Sequence, residues 1–185
     1  REDSLKKMEQ MWDAMLLASV GYDEKLKSNS GLAGGDGGKM ERYIREEKPL
    51  VGGFVGQAIA GALQMGESNA CMKRIVAAPT AGACGVLPAV LVPYARGEKL
   101  EKEQVIEALY VSAGIGQVIA SRAFISGASG GCQAEIGSAS AMAAGAMVHL
   151  KGGSDRQIAH AAAMALKNLL GLVCDPVAGL VEVPC

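Results

Sequence analysis

Apolar residues recur at three- and four-residue steps along most of this chain, and that spacing places them on one face of an α-helix. The first helix is predicted over Ser4–Val20, where the period is carried by Leu5, Met8, Met11, Trp12, Met15, Leu16 and Val20. Further helices are predicted over Lys39–Glu46, Val51–Met65, Lys102–Ser121, Cys132–Leu150 and from Ser154 to about Leu170. No segment alternates apolar and polar residues in the way that is typical of β-strands. We therefore expect an all-α protein of seven or eight helices.

Glycine, proline and serine interrupt these helices at four places. Their composition predicts loops over Ser28–Gly38 and Ser126–Gly131, and an extended, irregular segment over Gly171–Cys185. The segment Ala77–Pro88 begins as a turn and is predicted to open a helix near Gly82. Backbone N–H groups at such breaks are not used by a helix, so these are the places where binding residues are expected.

A length of 185 residues corresponds to one domain. We expect a single helical domain over residues 1–185, with charged N-terminal helices and a loop over 1–50 and a buried core over 51–185. Half of the residues are hydrophobic, yet only 4% are aromatic, whereas glycine supplies 25 positions. A core of such small residues allows helices to approach closely. The four-residue spacing of Gly52, Gly56 and Ala60 favours such an approach.

Charged residues are concentrated near the N-terminus, since residues 1–50 carry 19 of the 37 charges. The remaining part is expected to be enclosed by other protein surfaces. Ile75–Ala95 is 21 residues long without a charge, but Pro79, Pro88 and Pro93 argue against a membrane helix. A net charge of −1 gives no reason to expect nucleic-acid binding. We therefore expect neither a membrane nor a nucleic acid as a partner.

The ends and the cysteine count indicate a cytoplasmic chain. No secretory signal pattern opens the sequence, and an odd number of cysteines, five, argues against a disulfide framework. The chain begins without a methionine and stops at Cys185 directly after an apolar run. We therefore expect a processed or truncated chain.

Three cysteines follow breaks in the predicted structure: Cys132, Cys174 and Cys185. Unclaimed backbone N–H groups at such positions favour the thiolate form that metals and clusters bind. The spacings of 42 and 11 residues are not of the CxxC type found in zinc fingers and ferredoxins. Buried structural thiols therefore stay an alternative for these three, and they are the expected role of Cys71 and Cys84.

One acidic residue also stands out. Glu135 is the only charged residue of the predicted helix Cys132–Leu150 and follows Cys132 by one helical turn. It is a weak candidate for a catalytic residue, and the alternative is a glutamate that caps its own helix. His149 and His160 are expected to be structural. The Gly-rich stretches GLAGGDGG, APTAG and SGASGG can each bind an anion through backbone N–H groups, although none matches a nucleotide-binding signature.

Four stretches carry a resemblance to a known family. They read GLAGGDGGKMERYI, APTAGACGVLPAVL, ISGASGGCQAEIGSASAMAAGA and LKNLLGLVCDPVAGLVEVPC, and they occur in this order along the chain. The chain closely resembles the α subunit of iron–sulfur-dependent L-serine dehydratase over essentially its whole length. The stretch CDPVAGLVEVPC is the most specific part of the match.

The resemblance implies a helical domain that holds a [4Fe–4S] cluster through three cysteines, which correspond to Cys132, Cys174 and Cys185. A fourth iron without a cysteine ligand would act as a Lewis acid on the substrate hydroxyl. L-Serine would lose its α-proton to a base and its hydroxyl as water, and the aminoacrylate would hydrolyse to pyruvate and ammonia. No pyridoxal phosphate is expected, because no lysine lies in a motif that asks for it.

The family pairs this domain with a β domain, as a separate subunit or in the same chain. A β partner and a homo- or hetero-oligomer are therefore implied as well. The Ser/His motif of the β domain has no match here, so the catalytic base is expected from that partner or from an unidentified residue. Substrate contacts with a carboxylate or ammonium group are expected at Thr80, Gly82, Ser126, Ser129 and Gly130.

Two other classes of protein compete with this interpretation. The first is a non-catalytic helical assembly module with buried structural cysteines, which would be colourless. The second is a pyridoxal phosphate or nucleotide enzyme that uses the Gly-rich loops, which would carry the absorbance of its cofactor. Anaerobic iron and sulfide analysis separates both from the dehydratase.

Overall fold

The computed structural model describes residues 2–172 and Gly179, and within that part the protein is all-α, as predicted. Eight α-helices lie in the described residues: α1 (Glu2–Val20), α2 (Asp36–Glu46), α3 (Gly52–Ala70), α4 (Val86–Glu98), α5 (Lys102–Ala120), α6 (Gly127–Gly130), α7 (Cys132–Leu150) and α8 (Asp155–Lys167). A short 3₁₀ turn, Ala81–Ala83, precedes α4. The predicted irregular segment after Leu172 lies outside the described residues, except for Gly179.

Helix α7 is the centre of the molecule, and its predicted bounds are confirmed. It contacts α4, α5, α6 and α8 as well as the 3₁₀ turn. Its buried residues are mostly small: Gly137, Ser138, Ala139, Ala141, Met142, Ala143, Gly145 and Ala146. Small residues on several faces let neighbouring helices pack on more than one side. At Gly145, for example, the space a Cβ would fill is bordered by Ile115 of α5 and Ile158 of α8.

The hydrophobic core joins α7 to α1, α4 and α5. Trp12 and Met15 of α1 are buried in it, so the charged N-terminal part also contributes to the core. Helix α1 runs antiparallel to α5, because Asp13 pairs with Lys102 at 2.8 Å while Ser4 meets Tyr110 at 2.7 Å, oxygen to oxygen. The core therefore extends across both predicted parts of the chain.

Helices α3 and α4 make the close contact that the glycine spacing predicted, but at a different residue. A Cβ on Gly61 would lie 3.2 Å from the Cα of Ala89, so the two backbones nearly touch there. Gly56 instead packs against Ile44 of α2, and Gly52 faces open space. The spacing of Gly52, Gly56 and Ala60 thus correctly predicted that α3 packs closely. It did not identify Gly61 as the residue that approaches α4.

Two helix ends differ from the prediction because of hydrogen bonds between distant residues. Helix α2 begins at Asp36 rather than Lys39, and α3 continues past Met65 to Ala70. The Glu67 carboxylate, in the last turn of α3, accepts a 2.6 Å hydrogen bond from the Asp36 backbone N–H. Periodicity along one segment carries no information about such a contact.

Helix α3 is less buried than predicted. The residues Val51, Val55, Ile59 and Leu63 recur every four positions and are 39–47% exposed. The outward face of α3 is therefore apolar and in contact with solvent.

Among the described residues, no helix combines the length and hydropathy needed to cross a membrane.

Helix α8 runs antiparallel to α7. Gly137 of α7 lies against Leu166, near the end of α8, while Gly145 lies against Ile158, near its start. Ser154 and Gln157 form a reciprocal capping box at the start of α8, which confirms Ser154 as its cap. The helix ends at Lys167, three residues before the predicted end, and a turn follows.

Candidate active site

Cys132 is the first residue of α7 and is half-buried. It follows Gly131, whose φ of 83° lies in the left-handed region that glycine adopts without strain. The chain thus turns sharply from α6 into α7 directly before the cysteine. The positive end of a helix dipole lies at such a position, and it favours an anionic ligand or a thiolate.

The predicted loop Ser126–Gly131 contains one helical turn, α6, that uses its own amides. The Ser126 carbonyl accepts hydrogen bonds from the N–H groups of Ser129 at 3.1 Å and Gly130 at 2.8 Å. Gly131 N–H donates to the Gly127 carbonyl at 3.0 Å. The Gly130 amide is therefore already used within the turn, whereas the Ser129 side chain is exposed.

Glu135 links this turn to a distant loop. One carboxylate oxygen, Oε2, accepts a 3.0 Å hydrogen bond from the hydroxyl of Thr80, 55 residues earlier in the chain. The other, Oε1, accepts a short hydrogen bond from the Gly127 N–H. Both oxygens are thus bound to groups outside α7, so Glu135 does not act as a cap of its own helix.

The loop that carries Thr80 is also held from its other side. Asn69, in the last turn of α3, donates its side-chain N–H to the Ala81 carbonyl at 3.1 Å. A Cβ at Gly82 or Gly127 would overlap the carboxylate of Glu135, so both positions leave room for that group. The structure therefore brings together Thr80, Gly82 and Glu135, three of the residues singled out from the sequence.

The segment after α8 returns to the start of α7. The side-chain amide of Gln133 donates a 2.7 Å hydrogen bond to the carbonyl of Leu172. Leu172 precedes Cys174 by two positions in the sequence. The last described residue before that cysteine is therefore held at Gln133, the residue that follows Cys132.

Cys174 and Cys185 themselves lie outside the described residues. Within the described part of the chain, no three side chains of His, Cys, Asp or Glu form a group that could hold a metal ion. The predicted ligand set of Cys132, Cys174 and Cys185 therefore stays a prediction.

The other two cysteines, Cys84 and Cys71, end the 3₁₀ turn after Thr80 and helix α3 respectively. Cys84 is only 2% exposed, and burial raises the pKa of its thiol to about 11, so that it stays protonated at neutral pH. Cys71 caps the C-terminus of α3 and is half-buried. His149 lies 3.9 Å from the carboxylate of Glu107 at the protein surface.

Two of the Gly-rich loops do bind anions, but the anions are carboxylates of the same chain. Glu67 accepts from the N–H groups of Asp36 and Gly37 in the first stretch, in the same way as Glu135 accepts from Gly127. The Tyr22 hydroxyl donates to Glu67 at 2.5 Å and accepts from Gly38 N–H. Burial and the hydrogen bond to Glu67 raise the pKa of Tyr22, which keeps the hydroxyl protonated.

A cleft elsewhere in the described residues does not include this region. It has a volume of about 740 Å³ and lies among α1, α2, α3 and α4. Its lining includes Arg45 and Arg96 over an apolar floor that contains Ala60 and Val92. Neither Thr80 nor Glu135 lines it, so its size gives no information about the Glu135 region.

The fold and this region define a helical domain in which a cysteine and a carboxylate share the first turn of the central helix. The chain matches the family model of the serine dehydratase alpha chain over residues 1–185. It therefore belongs to the serine dehydratase alpha chain family.

Curated relatives support the same family. The chain is 49% identical over 187 residues to the probable L-serine dehydratase alpha chain of Bacillus subtilis (strain 168), a match that covers 100% of this chain and 62% of the relative. It is 50% identical over 143 residues to the L-serine dehydratase alpha chain of Peptoniphilus asaccharolyticus, covering 77% and 49%. It is 48% identical over 125 residues to L-serine dehydratase TdcG of Escherichia coli (strain K12), covering 67% and 28%. The chain thus spans less than two thirds of each of these relatives.

Proposed function

We propose that this chain is the α domain of an iron–sulfur L-serine dehydratase, which converts L-serine to pyruvate and ammonia. Membership of the alpha chain family supports the reaction, since the relatives are named L-serine dehydratases. The observation that carries the proposal is the position of Cys132 at the start of α7, next to the chain that leads to Cys174.

We assign the ligands of a [4Fe–4S] cluster to Cys132, Cys174 and Cys185, because thiols are the donors that such clusters require. Cluster sulfurs and thiolates need nearby hydrogen-bond donors, and helix starts and Gly-rich turns supply them. Cys132 lies at a helix start, and the 2.7 Å hydrogen bond between Gln133 and Leu172 holds the chain that leads to Cys174 near this start. When bound, the cluster would supply a Lewis acid that weakens the bond between the β-carbon and the hydroxyl of serine. A cytoplasmic location belongs to the same proposal, because thiolate ligands are kept reduced there.

The substrate would lie between the Thr80 loop and the turn before α7. The hydroxyls of Thr80, Ser126 and Ser129 and the backbone at Gly82 and Gly130 are the proposed contacts. The Gly130 amide already donates to a carbonyl of its own turn. Ser129 is exposed, so its hydroxyl is the group of that turn that a ligand can reach. No pyridoxal phosphate is required by this arrangement.

The base that removes the α-proton is assigned to a β domain or subunit. In the described residues, the two histidines lie at exposed or half-buried positions of α7 and α8, not beside Glu135 or Thr80. The curated relatives are longer than the match to this chain, which leaves room for further domains in them. An oligomer formed with the β partner is part of the proposal.

Substitution of Cys132 tests this function. The complete α chain with its β partner would be reconstituted with iron and sulfide under anaerobic conditions, as wild type and as Cys132→Ala. We expect a brown wild-type protein with about four irons and four sulfides per α chain, which turns over L-serine. The Cys132→Ala variant should lose the cluster absorbance and the activity.

Cys71→Ala is the matched control, because Cys71 is also a half-buried cysteine, at the C-terminus of α3, and is not one of the proposed ligands. It should keep both the cluster and the activity. Full cluster content in Cys132→Ala would contradict the ligand assignment. A colourless wild-type protein whose association with partners does not depend on Cys132 would support the assembly module instead.

A further inference from the structure

Glu135 carries a charge that the described part of the protein does not neutralise. Its carboxylate is half-buried, and none of the ion pairs among the described residues involves it. The two groups that do contact it, Thr80 and Gly127, are neutral donors. A half-buried carboxylate without a cation gains more from binding one than an exposed carboxylate does, because solvent screens it less.

The Thr80 hydroxyl is polarised by the same contact. A threonine hydroxyl has a single hydrogen, and here that hydrogen is donated to Oε2 of Glu135. The remaining positions on the Thr80 oxygen can only accept hydrogen bonds. Each oxygen of Glu135 likewise has an accepting position left after its one hydrogen bond. The pair therefore offers acceptors and a negative charge, which suits a cation with N–H groups and repels a carboxylate.

The surrounding backbone keeps this pair in place. Asn69 fixes the Thr80 loop through the Ala81 carbonyl, and the Gly127 N–H fixes the opposite side of the carboxylate. At Gly82 and Gly127 a side chain would occupy the space of the carboxylate itself. Holding both acceptors before a ligand arrives lowers the entropy cost of binding it.

We propose that Thr80 and Glu135 bind the α-ammonium group of the amino-acid substrate. This assignment deepens the proposed dehydratase function and rests on it. An ammonium group has three N–H donors and one positive charge, which match the acceptors and the charge of the pair. The substrate carboxylate is then left to other groups, such as the hydroxyls of Ser126 and Ser129.

A role in ammonium binding differs from a role as the catalytic base in its effect on the kinetic constants. Loss of an ammonium contact weakens binding and raises KM, whereas loss of the base lowers kcat. Glu135→Gln keeps an oxygen that can accept from Thr80 while it removes the charge. Thr80→Val removes the acceptor and leaves the carboxylate, and Thr80→Ser retains the hydroxyl.

The experiment compares two ligands that differ at the group in question. L-Alanine carries an α-ammonium group, and L-lactate has a hydroxyl in its place. Binding of each would be measured by calorimetry on the cluster-loaded α chain with its β partner. For Glu135→Gln we expect a dissociation constant for L-alanine at least tenfold higher and one for L-lactate within twofold of wild type.

The kinetics and controls complete the test. KM for L-serine should rise about tenfold in Glu135→Gln with kcat within about threefold, and the iron content should not change. Thr80→Val should act in the same direction, Thr80→Ser should resemble wild type, and the exposed Glu103→Gln should leave both ligands unaffected. Thr80→Val keeps the proposal testable if Glu135→Gln does not fold.

Equal loss of L-alanine and L-lactate binding would overturn the assignment, and so would a drop in kcat with KM unchanged. Failure of the proposed function has a different signature, since it would show as absence of the cluster or of L-serine turnover in the wild-type enzyme.

Discussion

Two glycines set how closely the Glu135 carboxylate approaches its neighbours. Gly82 precedes α4 and Gly127 begins α6, and at both positions a Cβ would overlap a carboxylate oxygen. Backbone and carboxylate are both fixed by hydrogen bonds, so neither can move aside freely. The absence of a side chain at these two residues is therefore a requirement of the Glu135 contacts.

We expect Gly82→Ala to lower the free energy of unfolding by about 1–3 kcal/mol, because the added methyl group displaces the carboxylate from Thr80. Gly114→Ala is the control, since Gly114 lies in α5 with nothing within 4 Å of the position of its Cβ. That variant should gain about 0.5–1 kcal/mol from reduced backbone freedom. Urea unfolding curves measure both, and equal stability of Gly82→Ala and wild type would contradict the contact.

At the scale of helices, the contact between α3 and α4 depends on one small residue. A Cβ at Gly61 would lie 3.2 Å from the backbone of Ala89, while Gly66, further along α3, faces open space. Of Gly61 and Gly66, only Gly61 is therefore needed for packing against α4. The same substitution at both positions separates packing from helix propensity.

Gly61→Val should destabilise the protein by about 1–3 kcal/mol, since the branched side chain forces α3 away from α4. Gly66→Val should change the free energy of unfolding by less than about 0.5 kcal/mol, because its side chain is solvated. Denaturant unfolding of the two variants provides the comparison. Similar losses in both would show that the α3–α4 distance is not limiting.

The sequence predicted those helices best whose ends depend on local residues. Helix α7 has its predicted bounds, and Ser154 caps α8 as expected, because turns and caps act within a few positions. The start of α2 and the end of α3 were missed. Both depend on Glu67, which binds backbone N–H groups 31 and 30 residues earlier in the chain.

At the scale of the whole molecule, the buried thiol of Cys84 makes stability depend on alkaline pH. Burial raises its pKa from 9.0 to about 11 in the folded protein. Below pH 9.0 the thiol is protonated in both states, and its contribution to stability is complete. As pH rises toward 11 the unfolded chain loses this proton more readily than the folded one, so the contribution is lost.

We therefore expect the free energy of unfolding of the wild type to fall more steeply between pH 9 and pH 11 than that of Cys84→Ala. The comparison removes the effects of lysines and tyrosines, which titrate in both proteins. Urea midpoints across this pH range measure it. Parallel profiles would indicate that the thiol is more accessible than its 2% exposure implies.

The candidate site was only partly predictable from the sequence. Cys132 and Thr80 were singled out because they lie in breaks between helices, which is a local property. The contact between Thr80 and Glu135 joins residues 55 positions apart, and no spacing rule connects them. The sequence predicted that the loop amides bind an anionic ligand. In the structure they bind carboxylates of the same chain, those of Glu67 and Glu135.

The antiparallel pairing of α7 with α8 has a consequence for the order of assembly during synthesis. The two helices are consecutive, so their mutual contacts close short stretches of chain and form quickly. The pairing of α7 with α8 brings Gln133 to Leu172, 39 residues later in the chain. The loop with Thr80 emerges earlier and docks onto a structure that forms after it. The metallocluster proposed above would thus be delivered to a folded hairpin and not to an extended nascent chain.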